Sequence, residues 1–173
     1  MKALRRFLQR TPFYGAYKAA GHYPDYWYWK LRGEPLHPPH LLKQRTVGEY
    51  AERFHLRVLV ETGTYYGEMV AAMKHRFEKI YSVEYSPQLA RRAQRKFSRN
   101  PHIHILEGDS QRAIPEVLKS LTRPALFWLD AGYYGWSGAQ GDRQRLTSEL
   151  DSILGHSIRE HVVLMDDAHG LTG

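Results

Sequence analysis

From residue 56 onward the chain alternates short apolar runs with longer stretches of helical periodicity. Five runs read as strands: Leu56–Val60, Lys79–Val83, His102–Leu106, Ala125–Leu129 and His161–Met165. They are rich in Val, Ile, Leu and Phe and show little polar alternation, as expected of strands covered on both faces of a parallel sheet. Between them, Tyr66–Arg76, Pro87–Ser98, Gln111–Ser120 and Arg143–Leu154 read as helices. Strand–helix–strand repetition at this spacing predicts a doubly wound α/β fold, a mostly parallel sheet with helices on both faces.

The pattern upstream is different. Leu4, Phe7 and Leu8 share one face of a short helix, with Arg5, Arg6 and Arg10 elsewhere and Pro12 ending it. An aromatic cluster follows at Tyr23, Tyr26, Trp27, Tyr28 and Trp29, and then Pro35, Pro38 and Pro39 punctuate the chain before a helix over 39–54. The reading is a basic, aromatic-rich extension over 1–38 and a folded domain over 39–173. The aromatic cluster is expected to pack on that domain or on a second copy of the chain. A lid, a sugar-stacking surface or a weak membrane-surface contact is the alternative.

Charge sharpens this division. The 173 residues carry 25 Lys+Arg against 18 Asp+Glu, a formal charge of +7. Residues 1–49 hold nine basic and three acidic residues, so the remainder is close to neutral. The basic balance therefore belongs to the extension, and no nucleic-acid partner is expected for the folded body. There is no cysteine, which removes disulfides, thiolate nucleophiles and Cys-type zinc sites and fits a cytoplasmic protein. The longest strictly apolar runs, such as Ala125–Leu129, are five residues, far short of a membrane span. Met1–Arg10 lacks the apolar stretch of a secretory signal.

In an open parallel sheet, ligands bind beyond the carboxyl ends of the strands. Each of the five runs delivers an acidic residue there: Glu61, Glu84, Asp109, Asp130 and the pair Asp166–Asp167. An acidic residue after a strand can simply cap the next helix, and Asp109, followed by Ser110, fits that role. Five such residues on one edge repel one another unless a ligand or cation compensates them. The turn after the first strand reads Glu61-Thr62-Gly63-Thr64-Tyr65-Tyr66-Gly67. Its glycines permit positive φ and a close backbone approach by a ligand.

Taken together, Glu61-x-Gly63-x-x-x-Gly67, Glu84 and Gly108-Asp109 resemble the signature of the class I S-adenosylmethionine-dependent methyltransferases. The resemblance spans residues 39–169 and implies a Rossmann-like fold. It also implies cofactor contacts at Glu61, Gly63, Thr64, Gly67, Glu84, Asp109, Ser110 and Asp130, with Glu84 on the ribose and Asp109 at the adenine. The stretches Leu126-Phe127-Trp128-Leu129-Asp130-Ala131 and Val163-Leu164-Met165-Asp166-Asp167-Ala168 look like a bacterial subgroup that O-methylates small molecules or glycans. An acidic edge suits a sulfonium cation better than a pyrophosphate, which prefers helix N-termini with few carboxylates nearby.

Asp130, Asp166 and Asp167 can converge, and hard oxygen ligands of this kind suit Mg²⁺. The cation-dependent O-methyltransferases place similar residues around a metal that orients the acceptor hydroxyl. Here Gly132-Tyr133-Tyr134 follow Asp130 with no Lys nearby, which leaves His169 as the candidate general base and the two tyrosines as pocket walls. A solvent-facing loop histidine is the alternative. Ser137–Arg145, Gly-rich and polar, is expected to form a mobile loop over the acceptor, and Arg91, Arg92, Arg95, Lys96 and Arg99 a solvated helix face. The resemblance further implies C-terminal strands beyond Gly173, so a fragment or an edge completed by a homo-oligomeric partner is expected. An NAD(P)-dependent oxidoreductase and a non-catalytic cofactor-binding module are the competing functions.

Overall fold

A computed structural model describes residues 23–33, 38–130 and 138–166. By its contacts the chain divides into two units, Met1–Thr46 and Val47–Gly173. In the first, α1 (Tyr23–Leu31) carries the aromatic cluster. Trp27 and Tyr28 lie at the surface, 58% and 44% exposed, and the Arg32 guanidinium sits 5.1 Å from the Tyr28 ring centre. The short helix expected around Leu4–Leu8 lies outside the described residues.

Helix α2 (His40–Arg53) leads into the second unit, and two residues beyond its end His55 takes a left-handed φ of 53° ahead of the first strand. The remaining elements are β1 (Val58–Thr62), α3 (Glu68–Met73), β2 (Lys79–Glu84), α4 (Pro87–Phe97) and β3 (Ile103–Glu107). They continue with α5 (Ser110–Ser120), β4 (Leu126–Asp130), α6 (Gly138–Leu154) and β5 (Val162–Asp166). All neighbouring strands pair in parallel, in the order β3-β2-β1-β4-β5. The expected doubly wound, Rossmann-like sheet is present.

Alternate residues of the central strands feed two cores. Leu59, Ile80, Leu126 and Trp128 pack with Val47, Val70 and Phe97 on one side. Val58, Val60, Phe127 and Leu129 pack with Ile114, Val117 and Leu146 on the other. Burial on both faces explains why these strands read as continuous apolar runs. Helix starts follow local chemistry: Ser86 caps α4 ahead of Pro87, and Asp109 caps α5.

Two of the differences from expectation bear on the site. Strand β1 begins at Val58 and runs through Glu61 and Thr62, because its ladder with β2 extends to the pair Thr62↔Val83 and carries the acidic residue with it. Residues 138–142, expected as a loop ahead of the helix, are the first turns of α6. Ala139, Gln140, Arg143, Gln144 and Arg145 are good helix formers, and their propensity outweighs the cost of Gly138 and Gly141, about 1 kcal/mol each.

Candidate functional site

At the carboxyl ends of β1 and β2 the chain forms a tight loop. The Gly63 and Thr64 N–H groups both donate to the Val83 carbonyl, at 2.9 and 3.2 Å. Gly63, Tyr65 and Gly67 take positive φ values of 87°, 50° and 65°. Gly67 is required twice over, since a Cβ there would also lie 2.7 Å from the Phe97 ring. The strained Tyr65 is secured by its N–H, which donates to Glu84 Oε2 at 2.7 Å. From α4, Lys96 Nζ donates to the Tyr66 and Gly67 carbonyls at 2.7 and 2.9 Å, and Arg92 lies 4.9 Å from the Tyr66 ring centre. The basic run on α4 is thus more than a solvated face: two of its members hold the loop.

Beneath the loop the carboxylates are interior groups. Glu61 is 1% exposed, and its Oε1 accepts from Ser82 Oγ at 2.6 Å. Ser82 in turn lies 2.5 Å from Thr64 Oγ1. Burial above all, with Asp130 and Glu84 adding to it against the pull of Ser82 and Lys96, pushes the Glu61 pKa up to about 8. The group is therefore mainly protonated at neutral pH. Glu84 is fully buried and accepts from the N–H groups of Tyr65 and Ser86.

Asp109 and Asp130 stand nearer to solvent, half-buried. Asp109 Oδ1 accepts from the Gln111 N–H at 3.1 Å, so its capping role is real. Asp130 lies against Gly63, where a Cβ would come 3.5 Å from the Asp130 Cβ. Its N–H donates to Thr62 Oγ1 at 3.2 Å. Asp166 is its register partner across β4 and β5.

A cleft, open to solvent on one side, runs along this edge. It is lined by Gly63, Asp109, Ser110 and Asp130 of the predicted set, together with Thr62, Val83, Tyr85 and Gly108. Glu61, Thr64, Gly67 and Glu84 are outside its lining and support the loop instead. Arg145, at the end of the stretch expected over the acceptor, completes the wall together with Leu146 and Glu149 of α6, which were not foreseen there. Glu149 is 3% exposed and accepts from Ser110 Oγ at 2.5 Å. Burial, the larger influence, raises its pKa above the ordinary carboxylate value. The sequence did hold a signal for it: Leu146, Glu149, Leu150 and Ile153 follow the i, i+3, i+4, i+7 spacing of one helix face.

Of the proposed metal ligands, Asp130 and Asp166 stand side by side, and Asp167 lies outside the described residues. Among the described residues no group of three His, Cys, Asp or Glu could hold a metal ion. His169, Gly132, Tyr133 and Tyr134 also lie outside them. No described helix is long and apolar enough to cross a membrane.

Neither a protein-family profile nor a curated protein sequence matches the chain. Solved structures do match. An S-adenosylmethionine-dependent methyltransferase from Clostridium acetobutylicum is similar with a TM-score of 0.54 at 14% identity, over 87% of this chain and 56% of that one. The methyltransferase PaMTH1 of Podospora anserina, bound to S-adenosylhomocysteine (SAH), gives 0.53 at 20% identity, over 86% and 63%. An O-methyltransferase of Bacillus cereus in complex with SAH gives 0.51 at 14% identity, over 70% and 56%. An rRNA methylase of Streptococcus thermophilus is similar as well. The likeness is one of fold, that of the class I S-adenosylmethionine-dependent methyltransferases. The chain spans 56–63% of the length of the first three.

Proposed function

We propose that this chain is an S-adenosylmethionine-dependent methyltransferase acting on a hydroxyl of a small molecule or glycan. The observation that carries the reading is the positive-φ loop Gly63–Gly67, which opens onto a cleft with acidic residues at its walls and beneath its floor. When bound, the cofactor supplies a methyl group on a sulfonium. Gly63 lets the ligand approach the backbone beside Asp130. The apolar walls Val83 and Leu146, with Tyr85, suit a planar purine, and Asp109 and Ser110 stand at that end. Glu84 keeps a lone pair on each oxygen for ribose hydroxyls, and because it is fully buried the Tyr65 turn must open for them to meet.

Transfer forms an acceptor O–C bond as the C–S bond breaks, and alignment is the protein's main contribution. The hydroxyl proton passes to a base, for which Asp130 at the cleft wall and His169 beyond β5 are the proposed groups. Asp130 and Asp166, with Asp167, are the proposed ligands of a Mg²⁺ ion that would orient the hydroxyl. The near-neutral charge of residues 50–173 supports a small acceptor over RNA.

Calorimetry with SAH tests the reading directly. Micromolar binding is expected, and binding of NAD in its place would overturn it. Methyl transfer across phenols, sugars and structured RNA tests the acceptor class, with RNA as sole acceptor the adverse result. Full activity in EDTA would remove the metal.

A further inference from the structure

Helix α1, nine residues long, turns large apolar groups to solvent. Trp27 and Leu31 are four positions apart and so share one face of the helix. Both are exposed, Leu31 at 85%. Beside them Tyr28, also exposed, carries the Arg32 guanidinium over its ring, and Lys30 is exposed as well. One exposed leucine needs no explanation. A Trp–Leu strip flanked by a tyrosine, with cationic residues at its C-terminal end, is a surface that gains by being covered.

Charge and side-chain type decide what covers it. Residues 1–32 hold seven basic residues, one acidic residue and nine aromatics, which favours an anionic partner. A second copy of the chain would bring the same positive charge against this face and be repelled. Single-stranded RNA is anionic, but it engages aromatic residues by stacking its bases on open rings. Arg32 takes one face of Tyr28, and Leu31, the most exposed of the three apolar groups, has no ring to offer. The boundary of an anionic bilayer suits every member of the set. Indole and phenol rings favour the headgroup level, a leucine enters the acyl margin, and Lys and Arg meet the anionic headgroups. Nine residues are far fewer than the about 20 that a membrane span requires, so the contact is with the surface.

We propose that α1 is a membrane-surface contact, with Trp27, Tyr28 and Leu31 entering the interface of an anionic lipid bilayer and Lys30 and Arg32 held at its headgroups. The contact is reversible, because one short helix buries little apolar area and the electrostatic attraction fades within a Debye length of the surface. It needs neither the cleft nor a cofactor, so it stands or falls independently of the methyltransferase reading.

The test is flotation of the full 173-residue chain with vesicles of phosphatidylcholine alone and with about one-third phosphatidylserine. Binding to the mixed vesicles is expected to exceed binding to the neutral ones about tenfold, and to weaken severalfold as salt rises from about 0.1 to about 0.5 M. The double variant Trp27→Ala/Leu31→Ala is expected to bind the mixed vesicles about tenfold more weakly. Lys30→Gln/Arg32→Gln is expected to weaken binding severalfold and provides the readout if the first variant does not fold. All four positions are exposed, so the thermal midpoint of each variant should match that of the wild type.

Equal binding of the wild type and Trp27→Ala/Leu31→Ala to the mixed vesicles would reduce the contact to adsorption by charge and overturn the proposal. A wild-type chain that does not float would overturn it too. So would a dimer that the same double variant dissolves, which would make a second copy the occupant of this face. Tighter binding to single-stranded RNA than to the mixed vesicles, lost in the double variant, would assign the face to nucleic acid instead.

Discussion

The two ends of the sheet are built from opposite chemistries. The carboxyl ends carry Glu61, Glu84, Asp109, Asp130 and Asp166. The amino ends begin at Arg57, Lys79, His102, Arg123 and His161. The basic groups are largely satisfied by neighbours. His102 Nε2 lies 2.8 Å from the Lys74 carbonyl, Arg123 donates to Glu78 at 2.9 Å, and Lys79 sits 5.4 Å from the Tyr81 ring centre. His161 Nδ1 accepts from the Ala125 N–H at 3.0 Å, which places its proton on Nε2, 2.9 Å from His156 Nδ1. At the acidic end, by contrast, Glu61 is held against its own ionisation by burial and by two like charges. One end pairs its charge with neighbours, and at the other burial holds Glu61 uncharged.

The sharpest way to break this comparison is pH. The unfolded chain releases the Glu61 proton near pH 4.5 and the folded chain near 8, so the native state binds more protons between them and stability falls as pH rises. Above pH 8 the cost amounts to about 5 kcal/mol. Glu61→Gln is therefore expected to stabilise the chain strongly at pH 9 and little at pH 5, as read by urea unfolding. Equal gains at both would show that Glu61 is not the titrating group.

Next in size is Gly67→Ala. A left-handed φ and the contact with Phe97 together are expected to cost about 1–3 kcal/mol and to weaken SAH binding at least tenfold by calorimetry. A variant with wild-type affinity would detach the loop from the site.

At the basic end the sign of the pH dependence reverses. Burial first, then His156, lowers the His161 pKa, so stability is lost as pH falls below the ordinary histidine value. In His161→Gln the fall in urea midpoint between pH 7 and 5.5 should shrink, while SAH affinity stays the same. The smallest effect belongs to Arg123→Ala. It breaks an exposed pair with Glu78, costs at most about 1 kcal/mol and leaves SAH binding unchanged. A loss of affinity in either basic-end variant would erase the division of labour between the ends.

The fold was legible because the strands are buried on both faces: five apolar runs were visible, and all five strands formed within two residues of their expected starts. What hydropathy could not register was a carboxylate inside a strand. Glu61 and Glu84 belong to the ladders and lie under the loop, whereas their polarity reads as the end of a strand and a place in the binding edge. Glu149 was missed for the same reason in helical form, a charged residue on a buried stripe. Lys96 and Arg92 looked like surface charge because their partners, the Tyr66 and Gly67 carbonyls and the Tyr66 ring, are brought close only by the fold.

The close approach of Gly67 to Phe97 makes these two positions a genetic unit. The left-handed φ at 67 keeps its cost whatever stands at 97, but the clash of a side chain with the Phe97 ring is relieved as 97 shrinks, so substitutions at the two positions are not additive. Gly67→Ala combined with Phe97→Leu should be less damaging than the two single changes imply, while the same second change beside a distant substitution gives no relief. Sequence drift at the loop is thereby tied to drift on α4, and a library that varies the loop alone would sample mostly chains that fail for want of a matching helix.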